Sequence, residues 1–79
     1  MLLDVLHVEP RKDYVLLLEF ENGERRRFDM APYIEQKPWN KLKVNNTFFN
    51  ACVGFGTVVW PNNIDIDPET LYELSTPIS

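Results

Sequence analysis

Apolar positions in this chain come in short runs separated by charged residues, asparagine, glycine and proline, and the clearest pattern lies in its first third. The stretch YVLLLEFENGERRRFDM, residues 14–30, sets one run on each side of Asn22-Gly23, which is the signature of a β-hairpin. Side-chain chemistry selects the register. A two-residue turn at Asn22-Gly23 would place Phe20 opposite Arg25 and Leu18 opposite Arg27, mixing charge into the apolar face. A three-residue loop, with Gly23 left-handed after a type I turn, instead pairs Leu16 with Phe28 and Tyr14 with Met30 on one face, and Glu19 with Arg25 on the other. Because a slip of one residue would reverse every side chain, the three-residue loop is predicted.

Before the hairpin, LLDVLHVEP reads as a further strand closed by Pro10, with the charged RKD as its turn. After it, APYIEQ, KPWNKL and NNTFFNA each offer a proline or asparagine helix start but only one or two turns of length, so they read as short helical pieces. ACVGFGTVVW gives one or two strands broken near Gly54 and Gly56, with Val58 and Trp60 on a shared face and Trp60 as a core anchor. The predicted fold is a single α+β domain over residues 1–79: a small antiparallel β-meander with short helical segments and a short C-terminal helix packed on it.

That last helix depends on how NNIDIDPETLYELSTP is read, because Asp65, Asp67 and Glu69 put a carboxylate at every second position. As a calcium loop, Asn63, Asp65 and Asp67 would hold positions one, three and five. The glycine expected at six is Pro68, however, and the glutamate expected at twelve is Leu74. As a helix start every residue is accounted for, since Asp67 caps, Pro68 takes the first helical position, and Glu69 sits where the helix dipole favours negative charge. Leu71 and Leu74 then form the apolar stripe, Ser75 and Thr76 end the regularity, and Pro77 prevents extension. The helix start is preferred, and no metal or other cofactor is expected. A helix of about two turns is unstable alone and must dock on the sheet.

Size and composition narrow the function classes. A chain of 79 residues leaves little volume for an enclosed cleft. At 44% hydrophobic and 25% charged, with no apolar tract of membrane-spanning length and no signal-peptide pattern, a soluble cytoplasmic protein is expected. Residues 1–43 carry all eight Lys and Arg balanced by eight acids, while residues 44–79 carry four acids and no base, so the net charge of −4 belongs to the C-terminal part. Direct binding of duplex DNA is not expected from that balance. Arg25-Arg26-Arg27 is the one basic run, and on a strand it divides between two faces.

The hairpin LEFENGERRRFD and the later stretch GTVVWPNNIDIDPETLYEL together resemble a bacterial family of small proteins, domain-of-unknown-function family 2442. The similarity runs from Val5 through Phe20, Asn22, Gly23 and Glu24 to Trp60, Pro61, Asp65, Pro68, Leu71 and Tyr72. It implies a small α+β domain with an antiparallel meander, found alone or in front of a helix-turn-helix domain, and a toxin–antitoxin setting. It supplies no catalytic residue. This chain has no helix-turn-helix pattern up to Ser79, which weakens any implied link to DNA.

Other candidate chemistry is sparse. His7, the single histidine, lies in a predicted strand and reads as a structural or surface residue; Cys52, between Ala51 and Val53, reads as a small buried hydrophobe. Trp39, Phe48 and Phe49 are candidate partner-binding residues, weighed against simple packing, and Arg25 and Arg27 are candidates weighed against a solvated strand face beside Glu19 and Glu21. With no nucleophile–base pair, the favoured function is a non-enzymatic interaction module, antitoxin-like or regulatory, that binds a protein partner or a second copy of itself. The alternative is a small-ligand-binding or enzymatic domain without a recognisable motif.

Overall fold

The Asn22-Gly23 loop sets the register of the larger of two sheets. In the computed structural model, which describes residues 3–78, β2 (Val15–Phe20) pairs antiparallel with β3 (Arg25–Asp29), Leu16 opposite Phe28 and Glu19 opposite Arg25. The loop is the three-residue one: the Phe20 N–H donates to Glu24 O at 2.9 Å, the Gly23 N–H donates to Phe20 O at 2.9 Å, and Gly23 has φ 88°. The Met30 N–H donates to Tyr14 O at 2.8 Å, continuing the predicted pairing. Leu16, Leu18, Phe20, Phe28 and Met30 are all buried as a result.

β1 (Val5–Arg11) lies on the other side of β2 and corrects one expectation, because Pro10 is inside the strand opposite Leu16 and does not close it. β1 is an edge strand, where a missing N–H costs no ladder bond. The turn accordingly moves one residue on, to a 3-10 turn at Lys12–Tyr14 with Asp13 and Tyr14 left-handed. Leu2, which opens the predicted strand stretch, lies outside the described residues, as do Met1 and Ser79 at the ends of the predicted domain.

The helical pieces after the hairpin are slighter than predicted. Residues 31–36 form turns, and Trp39–Asn50 is 3-10 helix interrupted at Val44, Asn45 and Asn46. The two asparagines cap nothing with their side chains; they take left-handed backbone at φ 52° and 58°, and the Thr47 hydroxyl donates to Val44 O at 2.6 Å. Asparagine is one of the few side-chain-bearing residues that visits this region readily.

Beyond residue 50 the strands build a sheet of their own. β4 (Cys52–Gly54), β5 (Thr57–Trp60) and β6 (Ile64–Ile66) pair antiparallel in that order. Val58 and Trp60 share the inner face, as their spacing predicts, together with Ile64 and Ile66. Trp60 is the expected anchor: its ring is buried and its indole N–H donates to Phe48 O at 3.0 Å.

α1 (Pro68–Leu74) begins as predicted, with an Asp67 carboxylate oxygen accepting from the Thr70 N–H at 3.1 Å, Pro68 at the start and Glu69 in the first turn. Its apolar contact is narrower than predicted, since Leu71 is buried but Leu74 is 56% exposed. After Ser75 the chain does not simply stop. Thr76–Pro77 forms a two-residue strand, β7, opposite Arg27 and Arg26 of β3. The larger sheet thus runs β1-β2-β3-β7, and both sheets, with Leu42, Phe48 and Leu71, enclose one apolar core.

Candidate functional site

β3 alternation turns Arg26 inward, to the end of the core face, while Arg25 and Arg27 point to solvent on the outer face. Arg26 is held on every side. Its Nε donates to Ser75 Oγ at 2.6 Å, one terminal nitrogen to Ser75 O at 2.8 Å, the other to Glu24 Oε2 at 2.8 Å, and its guanidinium lies 4.4 Å from the centre of the Tyr72 ring. The Tyr72 hydroxyl donates to Glu24 Oε1 at 2.6 Å, and the Asn22 amide donates to the same oxygen at 2.9 Å. Sequence reasoning marks Asn22 and Tyr72 as structural but misses Arg26. The signal was its place, two residues before Phe28 on the apolar face, where a guanidinium needs partners.

The electrostatics of this cluster are those of a clasp. The Tyr72 hydroxyl, followed by Arg26, holds the Glu24 carboxyl below its ordinary range, and the Glu24 carboxylate pushes the Tyr72 hydroxyl up. Both shifts move proton exchange away from neutrality, the opposite of what a general acid or base needs. The cluster fastens α1 and β7 to the hairpin.

The predicted partner-binding residues divide between core and surface. Phe48 is 1% exposed, edge-on to Tyr14 at 5.3 Å and stacked near Trp60 at 6.1 Å, so it belongs to the core; its aromatic neighbour Phe49 is 48% exposed. Trp39 is half-buried, and its indole N–H donates to Asp65 O at 3.0 Å, tying the 3-10 segment to β6. Arg25 and Arg27 are exposed, opposite Glu19 and Leu17 respectively. Arg27 shares an open recess with Arg11, Lys12, Asp13, Val15 and Leu17. His7 is exposed in β1. Cys52 is also exposed, which corrects the buried reading: it stands on the outer face of the second sheet, opposite Val59.

The carboxylates do not converge. Asp67 is engaged as the cap, Asp65 faces outward between buried Ile64 and Ile66, and among the described residues no group of three His, Cys, Asp or Glu side chains comes together. Among the described residues, no helix is long and apolar enough to cross a membrane.

The residue with the least internal explanation is Phe55, which the sequence pattern leaves inside a broken strand. β4 and β5 are joined by Phe55-Gly56, both at positive φ, 54° and 75°, the pattern of a type I′ turn. Phe55 is 100% exposed at its tip. A recess beside it is lined by Val59, Trp60, Asn63, Ile64 and Asp65. The sequence signal was the GFG triplet between two short valine-containing runs, a two-residue hairpin turn with an aromatic where asparagine or glycine is usual.

From the start of β1 to the end of β7, residues 5–77, the chain matches the family model described as Protein of unknown function (DUF2442). The chain belongs to this family. No curated protein and no solved structure matches it. The family match takes in the clasp, the GFG turn and the Asp67 cap alike.

Proposed function

We propose that this DUF2442 protein is a non-enzymatic interaction module, an antitoxin-like or regulatory accessory that acts by associating with another protein chain, either a different protein or a second copy. The observation that carries this reading is Phe55, a fully exposed aromatic in left-handed backbone at a hairpin tip. A bulky side chain at positive φ costs conformational energy, its exposure costs hydration free energy, and inside the chain it gains nothing in return. Phe49, Val53, Val44 and Leu74 add further exposed apolar surface. The polar groups best placed for chemistry, Glu24, Arg26 and Tyr72, are engaged with one another.

Affinity purification of the tagged chain from its native cells tests this. A protein recovered in fixed stoichiometry is the expected result. Recovery of a small molecule without a protein would replace the reading with that of a ligand-binding domain.

A further inference from the structure

Phe55 does not stand in neutral surroundings. Asp4 is packed against the neighbouring Gly56: a Cβ built there would lie 2.6 Å from Asp4 Oδ1, so this carboxylate rests against the turn backbone. Asp65 lines the recess that Phe55 shares with Val59, Trp60, Asn63 and Ile64. Neither carboxylate belongs to an ion pair among the described residues, where the pairs are Glu9 with Arg11, Glu24 with Arg26 and Glu35 with Lys43. The whole stretch 44–79, which supplies the turn, the recess and the strand beside it, contains no Lys or Arg.

We infer that the Phe55 turn is a docking site for a basic protein segment, one with an apolar side chain seated against Phe55 and Val59 and with Lys or Arg meeting Asp4 and Asp65. This rests on the association reading above and names the partner's chemistry. The turn sets an exposed apolar side chain near two carboxylates, and an apolar anchor with complementary charge beside it is the usual division of labour in an interface. Charge also decides against a second copy at this place. A two-fold axis through the turn would bring like carboxylates together at short range, with no cation from residues 44–79 to offset them. Gly56 is part of the device: its missing Cβ leaves room for the Asp4 carboxylate beside the turn.

The test is a titration of the isotope-labelled chain, followed by amide NMR shifts, with a short synthetic peptide carrying a central leucine flanked on both sides by arginine and lysine. The control replaces every basic residue by glutamate. Saturable shifts confined to residues 52–65 and the neighbourhood of Asp4, seen with the basic peptide only and weakened by added salt, are expected. Phe55→Asn and Asp65→Asn should each weaken binding by about tenfold or more while keeping a folded spectrum. No shift, equal shifts with the acidic peptide, or shifts centred on the Arg25 and Arg27 face would overturn the inference, as would sedimentation showing a dimer that Phe55→Asn dissolves. If the peptide titration is blank while the chain still forms a protein complex insensitive to Phe55→Asn, this inference falls and the association reading stands. If no complex of any kind forms, both fall.

Discussion

The Tyr72 hydroxyl of α1 donates to Glu24 Oε1 at 2.6 Å, closing a contact between residues 48 positions apart. The pair has opposite responses to pH. Glu24 has a folded pKa below its ordinary value, so its stabilising contribution is present above the unfolded carboxylate range and is lost as pH falls through the lowered value. Tyr72 has a folded pKa above its ordinary value, so its contribution is present below the unfolded phenol value of about 10 and is lost as pH rises through the raised value. Melting temperature followed against pH should therefore fall at both ends. In Tyr72→Phe both losses should shrink, the alkaline one because the phenol is gone and the acid one because Glu24 has lost the largest cause of its depression. Superimposable profiles for the two proteins would show that the clasp contributes nothing.

The Asp67 cap is separable from the clasp. Asp67→Ala removes the acceptor for the Thr70 N–H and should lower stability by about 0.5–2 kcal/mol in denaturant titration, with the midpoint moving and the slope unchanged. Asp67→Ser, which keeps a capping oxygen, should recover most of the loss.

These two sites differ in how far the sequence revealed them, and the reason is range. The cap and the proline start are local, each decided by residues within four positions of one another, and the Gly23 loop is decided by the pairing of two adjacent runs within residues 14–30; the structure has all three as read. The division into two sheets is not local. Ile64–Ile66 is too short for its alternation to stand out, and it becomes a strand because Val58 and Trp60 offer it a ladder. β7 depends on Arg26 reaching Ser75, a contact across 49 positions that no window along the chain contains. The exposure of Cys52 has a related reason: apolar neighbours imply a buried run only if both faces of the strand are covered, and the outer face of β4 is open. Trp39, Phe48 and Phe49 are equally apolar in the sequence, and only tertiary packing decides that Phe48 fills the core while Phe49 stays exposed.

Phe55→Asn should stabilise the isolated chain. Asparagine tolerates left-handed backbone far better than phenylalanine and is a favoured residue of type I′ turns, so a gain of about 1 kcal/mol is expected, or roughly 4–8 °C in Tm for a domain of this size. A loss of stability would mean that the Phe55 ring makes internal contacts in solution, against its complete exposure here.

Calorimetric titration with calcium, magnesium, manganese and zinc should show no saturable site at Asp65, Asp67 and Glu69. Asp67 is committed to the Thr70 N–H, and Asp65 faces outward from β6. A one-to-one isotherm abolished by Asp65→Asn would contradict the cap reading of this stretch.

The central claim is that the chain works by association with another protein through surface it does not use for its own core. Sedimentation velocity measures this most directly, on the purified chain from micromolar to millimolar concentration and on its mixture with the protein recovered from native cells. The account predicts a discrete complex of fixed stoichiometry in the mixture, weakened by Phe55→Asn even though that variant folds more stably. A chain that sediments as a monomer alone at every concentration and in every mixture would contradict it.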